Sequence, residues 1–150
     1  MGRRASGRGV EFSDPVDAVN RVAGELSDGQ EDNGEADVIV ASYHEGAATG
    51  ASLEAARDGG VFSKIVDETS ADVSAIYTGH THQTYTFEAP GPDGEDRPVI
   101  QTGSYASNIG RVTLTVDPET HDVTGYEQEN VPVPSKADAA NLSDPVVAEV

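Results

Sequence analysis

Ala75-Ile76-Tyr77-Thr78-Gly79-His80-Thr81-His82 is the stretch on which the fold turns. It begins apolar and β-prone, reaches a glycine that lets the backbone bend sharply, and ends in two histidines one residue apart. In an extended segment side chains alternate between faces, so His80 and His82 are expected to point the same way, just past a buried strand. The carboxyl ends of strands are where α/β sheets hold their ligands. An upstream element repeats the arrangement. Asp37-Val38-Ile39-Val40-Ala41-Ser42 reads as a buried strand and runs directly into Tyr43-His44-Glu45-Gly46. Three of the four histidines thus fall at the tips of two apolar strands.

A lone histidine after a strand is more often an ordinary surface or hydrogen-bonded residue, and a His-x-His pair alone is a weak metal signal. Two such sites, each beside a glycine, in a chain with four histidines shift the balance to metal. There is no cysteine, which rules out disulfides and thiolate zinc sites and leaves imidazole and carboxylate as ligands.

The element Gly79-His80-Thr81-His82, preceded by Asp72-Val73-Ser74-Ala75-Ile76 and by a strand ending in Tyr43-His44-Glu45-Gly46, resembles the calcineurin-like metallophosphoesterases. Within them it is most similar to the 5'-nucleotidase branch. Pro98-Val99-Ile100-Gln101-Thr102-Gly103-Ser104-Tyr105 and Ile109-Gly110-Arg111-Val112-Thr113-Leu114-Thr115-Val116-Asp117 match that branch's continuation. The resemblance covers residues 12–131. It implies part of a metallophosphatase β-sandwich of mixed sheets flanked by helices. It also implies two divalent metal ions, zinc or manganese, with His44 and His80 binding one and His82 the other. Glu45 is the candidate to orient a histidine N–H, and no catalytic residue beyond the metal ligands is assigned. The family's Asp-x-His, Gly-Asp-x-x-Asp and Gly-Asn-His-Glu elements, which complete and bridge the two metals, do not occur in these 150 residues. By resemblance the chain is the C-terminal half of such a domain. Its partners would be a missing N-terminal half, a C-terminal substrate-binding domain and a nucleotide or other phosphate ester. The location implied is extracellular, periplasmic or cell-surface.

Composition narrows the partners. With 27 acidic and 9 basic residues the formal charge is −18, which argues against nucleic-acid polymers as partners and favours solubility. Such acidity suits a salt-adapted or a secreted protein equally. No stretch is long and apolar enough to span a membrane. Residues 1–11 are basic and glycine-rich without the apolar core of a signal peptide, and are expected to form a disordered lead-in.

Along the chain, Ser13-Asp14-Pro15 is a helix start, and Val16, Val19, Val22 and Leu26 are expected to form its apolar face. Residues 27–35 are an acidic surface loop whose spacing is not that of an EF-hand. A short helix is expected over 52–57. Phe62, Ile65, Val66 and Thr69 suggest a second amphipathic helix leading into the second histidine strand. Helix, strand, helix, strand is the alternation of an α/β (α+β) unit. From Thr84 onward strands are expected over 84–88, 98–102, 109–116 and 123–128, separated by turns such as Pro90-Gly91-Pro92-Asp93-Gly94. His121 falls on the exposed tip of the last turn, and Asp37 at the end of its strand away from His44, where its role is expected to be structural. Gly103-Ser104-Tyr105 is read as an architectural loop. The domain runs over residues 12–130. Residues 131–150 are expected to be a Pro-bearing linker and, from Ser143-Asp144-Pro145, the start of a helix toward a following domain.

Two functions follow. One is a metal-dependent phosphoesterase of 5'-nucleotidase type, acting on nucleotides, with this chain supplying histidine ligands and incompetent by itself. The other is a non-catalytic metal- or partner-binding fragment of the same fold.

Overall fold

The computed structural model describes residues 12–30, 32 and 34–134. The expected lead-in, most of the linker and the last helix start lie outside them. The order of elements is α1 (Pro15–Leu26), β1 (Ile39–Ser42), α2 (Leu53–Ala56), α3 (Val61–Glu68), β2 (Val73–Tyr77), β3 (Thr84–Pro90), β4 (Asp96–Thr102), β5 (Asn108–Val116) and β6 (Val123–Pro132).

Helix α1 starts as its sequence dictates. The Asp14 carboxylate accepts from the Val16 and Asp17 N–H groups, and Pro15 occupies the first helical position, where its missing N–H costs nothing. Val16 and Ala23 are its buried residues, with Val19 packed against the core. Val22, expected on that face, is exposed instead. At about 100° per residue, position 22 lies roughly 240° around the helix from position 16, whereas 19 and 23 stay near it. Helix α3 buries Phe62, Ile65 and Val66, followed by Thr69.

Four strands form one mixed sheet in the order β1-β2-β4-β3. β1 runs parallel to β2, and β2 parallel to β4, while β3 returns antiparallel along β4. Val73, Ala75 and Ile76 of β2 are all buried, as expected of a parallel strand covered on both faces. β3 alternates instead: Tyr85, Phe87 and Ala89 point inward, and Thr84, Thr86 and Glu88 outward. The Tyr85 and Phe87 rings stack at 4.3 Å, and Phe62 meets both edge-on at 5.8 and 6.2 Å. Full burial of side chains the size of Ile65, Ile76 and Ile100 stabilises by about 1.5–3 kcal/mol each. Among the described residues β1 has no neighbour beyond β2, and its Val40 is half exposed.

The hairpin β5–β6 packs over β3 and β4. Its close approach requires Gly110, where a Cβ would lie 2.6 Å from Thr102 Cγ2 and 3.2 Å from Ile100 Cδ1. β6 runs to Pro132, beyond the expected end at 128. Val131 and Pro132, expected in the linker, pair with Ile109 and Asn108. Asn130 explains the extension: its Nδ2 donates to the Tyr85 and Gln101 carbonyls and pins the strand to the larger sheet. This is the expected α/β (α+β) class, with mixed and antiparallel sheets flanked by helices.

Candidate metal centre

β1 and β2 are adjacent and parallel, so the segments that follow them emerge at the same edge of the sheet. Backbone hydrogen bonds carry the pairing past the strand ends: Tyr43 N–H donates to Tyr77 O at 2.8 Å, and Gly79 N–H to Glu45 O at 3.1 Å. The result brings two histidines together. The His44 and His80 rings lie 5.3 Å apart between centroids, edge to face at 66°. Both side chains are exposed, and neither makes a hydrogen bond to another described residue. The strand pairing thus brings two imidazoles, a donor type that suits a divalent transition metal, to one edge of the sheet.

His82 sits differently from the expectation. β2 ends at Tyr77, and the segment from Thr78 to Gln83 is not extended. Thr81 N–H folds back onto Gly79 O at 2.7 Å, and both His80 (φ 68°) and His82 (φ 59°) adopt the left-handed conformation. The rule that residues two apart share a face therefore does not govern this pair. The His82 ring is placed instead beside Tyr105, 6.1 Å between centroids. Among the described residues no group of three or more His, Asp or Glu is gathered tightly enough to hold a metal ion. Left-handed backbone in a non-glycine residue costs about 1–2 kcal/mol, and such strain concentrates at functional sites.

Glu45, expected as a candidate to orient a histidine, accepts from the Gly46 N–H at 3.1 Å, with no bond to an imidazole among the described residues. A carboxylate one residue from a tight turn finds the neighbouring amide first. Tyr105, read from sequence only as loop architecture, is 96% exposed, and it and Ala106 are also left-handed (φ 54° and 55°). The sequence carried no signal for that contact, since β3 and β4 separate the two residues.

At the opposite end of the sheet the fourth histidine is partnered. His121, at the tip of the β5–β6 turn, lies with Nδ1 3.0 Å from Asp37 Oδ1, just before β1. Nearby, the buried Arg97 guanidinium donates to four backbone carbonyls, those of Val66, Thr69, Ser70 and Val73. Two of them close the last turn of α3, where a cation is favoured by the helix dipole. Burial pushes the Arg97 guanidinium below its ordinary value, and the Asp93 charge opposes that shift. A cleft of about 590 Å³ opens at this end, and Asp37, Asp72, Asp93, Glu95, Asp96 and Asp122 are among the residues that line it. Those carboxylates would repel a phosphate ester, so the cleft does not compete with the histidine edge as a site for one.

With the histidines placed, the fold can be compared with solved structures. The crystal structure of the 5'-nucleotidase precursor from Thermus thermophilus superposes on 95% of this chain with a TM-score of 0.62, at 20% sequence identity. The chain has the fold of a 5'-nucleotidase segment. It spans 29% of the length of that nucleotidase. No family model and no curated protein matches the sequence. Among the described residues no helix is long and apolar enough to cross a membrane.

Proposed function

We propose that this chain contributes the histidine ligands of a metal-dependent phosphoesterase centre of 5'-nucleotidase type. The observation that carries the proposal is the pair of imidazoles of His44 and His80, without a hydrogen bond among the described residues and with ring centroids 5.3 Å apart, at the carboxyl ends of adjacent parallel strands. His44 and His80 would hold one divalent ion, zinc or manganese, and His82 the second. When bound, two such ions lower the pKa of water and offset the charge of a phosphoryl group. The chain's own share is to present neutral nitrogen donors from a stiff sheet edge. The bridging carboxylate and the asparagine would come from another polypeptide segment, because the three motifs that supply them are absent from this sequence. A nucleotide or another phosphate ester is the substrate class that belongs to this reading, as do a separate substrate-binding domain and an extracellular, periplasmic or cell-surface location.

A second reading, a non-catalytic metal- or partner-binding fragment of the same fold, is favoured by the lack of a three-ligand group among the described residues. The test is phosphate release from AMP with Mn²⁺ or Zn²⁺. The 150 residues alone are expected to give none. The same residues joined to a segment carrying the Asp-x-His and Gly-Asn-His-Glu elements are expected to turn over, and to lose turnover in His80→Ala. A joined protein that binds metal yet stays inactive favours the second reading. Metal-dependent turnover by the chain alone overturns the division of ligands.

A further inference from the structure

Beneath the two histidine loops runs a set of hydrogen bonds that neither loop needs for its own turn. Tyr85, buried on β3, is the hub. Its Oη lies 2.6 Å from Thr78 Oγ1, accepts from the Ala47 N–H at 3.1 Å and donates to Gln101 Oε1 at 3.1 Å. Gln101, 1% exposed on β4, donates through Nε2 to Thr81 Oγ1 at 2.9 Å, and that hydroxyl also lies 3.1 Å from Gln101 Oε1. Ala47 belongs to the loop of His44, while Thr78 and Thr81 flank His80. One phenol and one carboxamide therefore grip both loops from below.

The fit is tight where the loops meet. A Cβ on Gly46 would stand 2.1 Å from Gln101 Oε1 and 2.7 Å from Gly79 O, so only glycine admits this approach. The exposed histidine rings add no hydrogen bonds to other described residues. The left-handed backbone at His80 must then be held by its surroundings, because alone it is disfavoured. Burial raises the Tyr85 phenol above its ordinary value, which keeps its proton available for donation. A satisfied buried network of this kind rigidifies what it touches.

We propose that the Tyr85–Gln101–Thr81 network is a positioning device that sets the spacing of the His44 and His80 rings. Its purpose rests on the reading of those imidazoles as metal ligands, but its effect on ring spacing is a property of the metal-free chain. The experiment therefore has two arms, run on the wild type, Thr81→Val, Thr81→Ser and Tyr85→Phe. In the metal-free arm the nuclear Overhauser contact between the two imidazole rings is measured alongside the thermal midpoint. The contact should be present in the wild type and Thr81→Ser, and lost in Thr81→Val and Tyr85→Phe while both remain folded. In the second arm Zn²⁺ affinity should fall about 10-fold or more in Thr81→Val and recover in Thr81→Ser. An unchanged inter-ring contact in folded Thr81→Val and Tyr85→Phe overturns the proposal. Thr81 is half-buried and Tyr85→Phe keeps its ring, so at least one of the two should fold. A wild type with the ring contact but no Zn²⁺ uptake sinks the metal reading alone.

Discussion

The two ends of the mixed sheet spend their polar groups in opposite ways. At the amino end of the parallel strands two nitrogen-bearing side chains are engaged: Arg97 by four carbonyls, His121 by Asp37. At the carboxyl end three imidazoles stand exposed without a hydrogen bond to another described residue, on backbone that is strained at two of them. Partnered groups are what a chain needs to fold. Groups without a partner among the described residues, on strained backbone, are not explained by folding, and this contrast is what supports the proposal that the histidine edge is the functional one.

The contrast breaks hardest at Arg97. Replacing it with alanine removes the guanidinium from four carbonyls, of which Ser70 O keeps the Val73 N–H at 3.1 Å; at about 1–3 kcal/mol for each carbonyl left without a donor, Arg97→Ala should cost about 3 kcal/mol or more, or prevent folding. Urea denaturation reads this directly. A loss under ~1 kcal/mol would mean that water replaces the guanidinium and that the amino end is not tied closed.

The histidine edge should respond in the opposite sense. His80→Gly relieves a left-handed residue and is expected to raise stability by about 1 kcal/mol while weakening metal binding. His121→Gly relieves the same kind of backbone, φ 64°, but also gives up the Asp37 pair. An exposed pair is worth about 0–1 kcal/mol, so its net gain should be smaller. Thermal midpoints of the two variants sharpen the comparison. Destabilisation in His80→Gly would show that the His80 side chain is a structural partner after all.

Much of this was legible in the sequence because local rules decide it. Asp14-Pro15 set the start of α1, apolar runs marked β1 and β2, and alternation marked β3. The position of His44 and His80 past two strand ends followed from the same runs. What local rules could not supply was the pairing of distant strands. The parallel pairing of β1 with β2 sets the His44–His80 distance, and the packing of Asn130 on Tyr85 and Gln101 sets the end of β6. The alternation expected of His80 and His82 assumes extended backbone just past the strand, whereas both residues are left-handed. Thr78, Thr81 and Gln101 bend that segment through contacts more than a dozen residues away.

The smallest effect concerns acid. Lys64 Nζ, 2.7 Å from the Asp14 carboxylate, and then the Val16 and Asp17 amides hold that carboxyl below its ordinary value of 3.8. A depressed carboxyl contributes stability that is present above its unfolded value and lost as pH falls through the folded one. Stability should therefore drop below pH 3.8, and Asp14→Asn should flatten that acid limb slightly while leaving the Zn²⁺ response intact. An acid limb identical in the two proteins would show that the Lys64 bond forms equally in the unfolded chain.

Calorimetric titration of the 150-residue chain with Zn²⁺, set beside its single histidine variants, tests the central claim most directly. Weak binding is expected, since the chain brings imidazoles without a bridging carboxylate. His44→Ala, His80→Ala and His82→Ala should diminish or abolish it, each changing stability by no more than about 0.5 kcal/mol, as befits exposed side chains. His121→Ala should bind as the wild type does. Equal losses in all four variants would mean that zinc meets scattered imidazoles rather than a site, and the assignment of the carboxyl-end edge would fail.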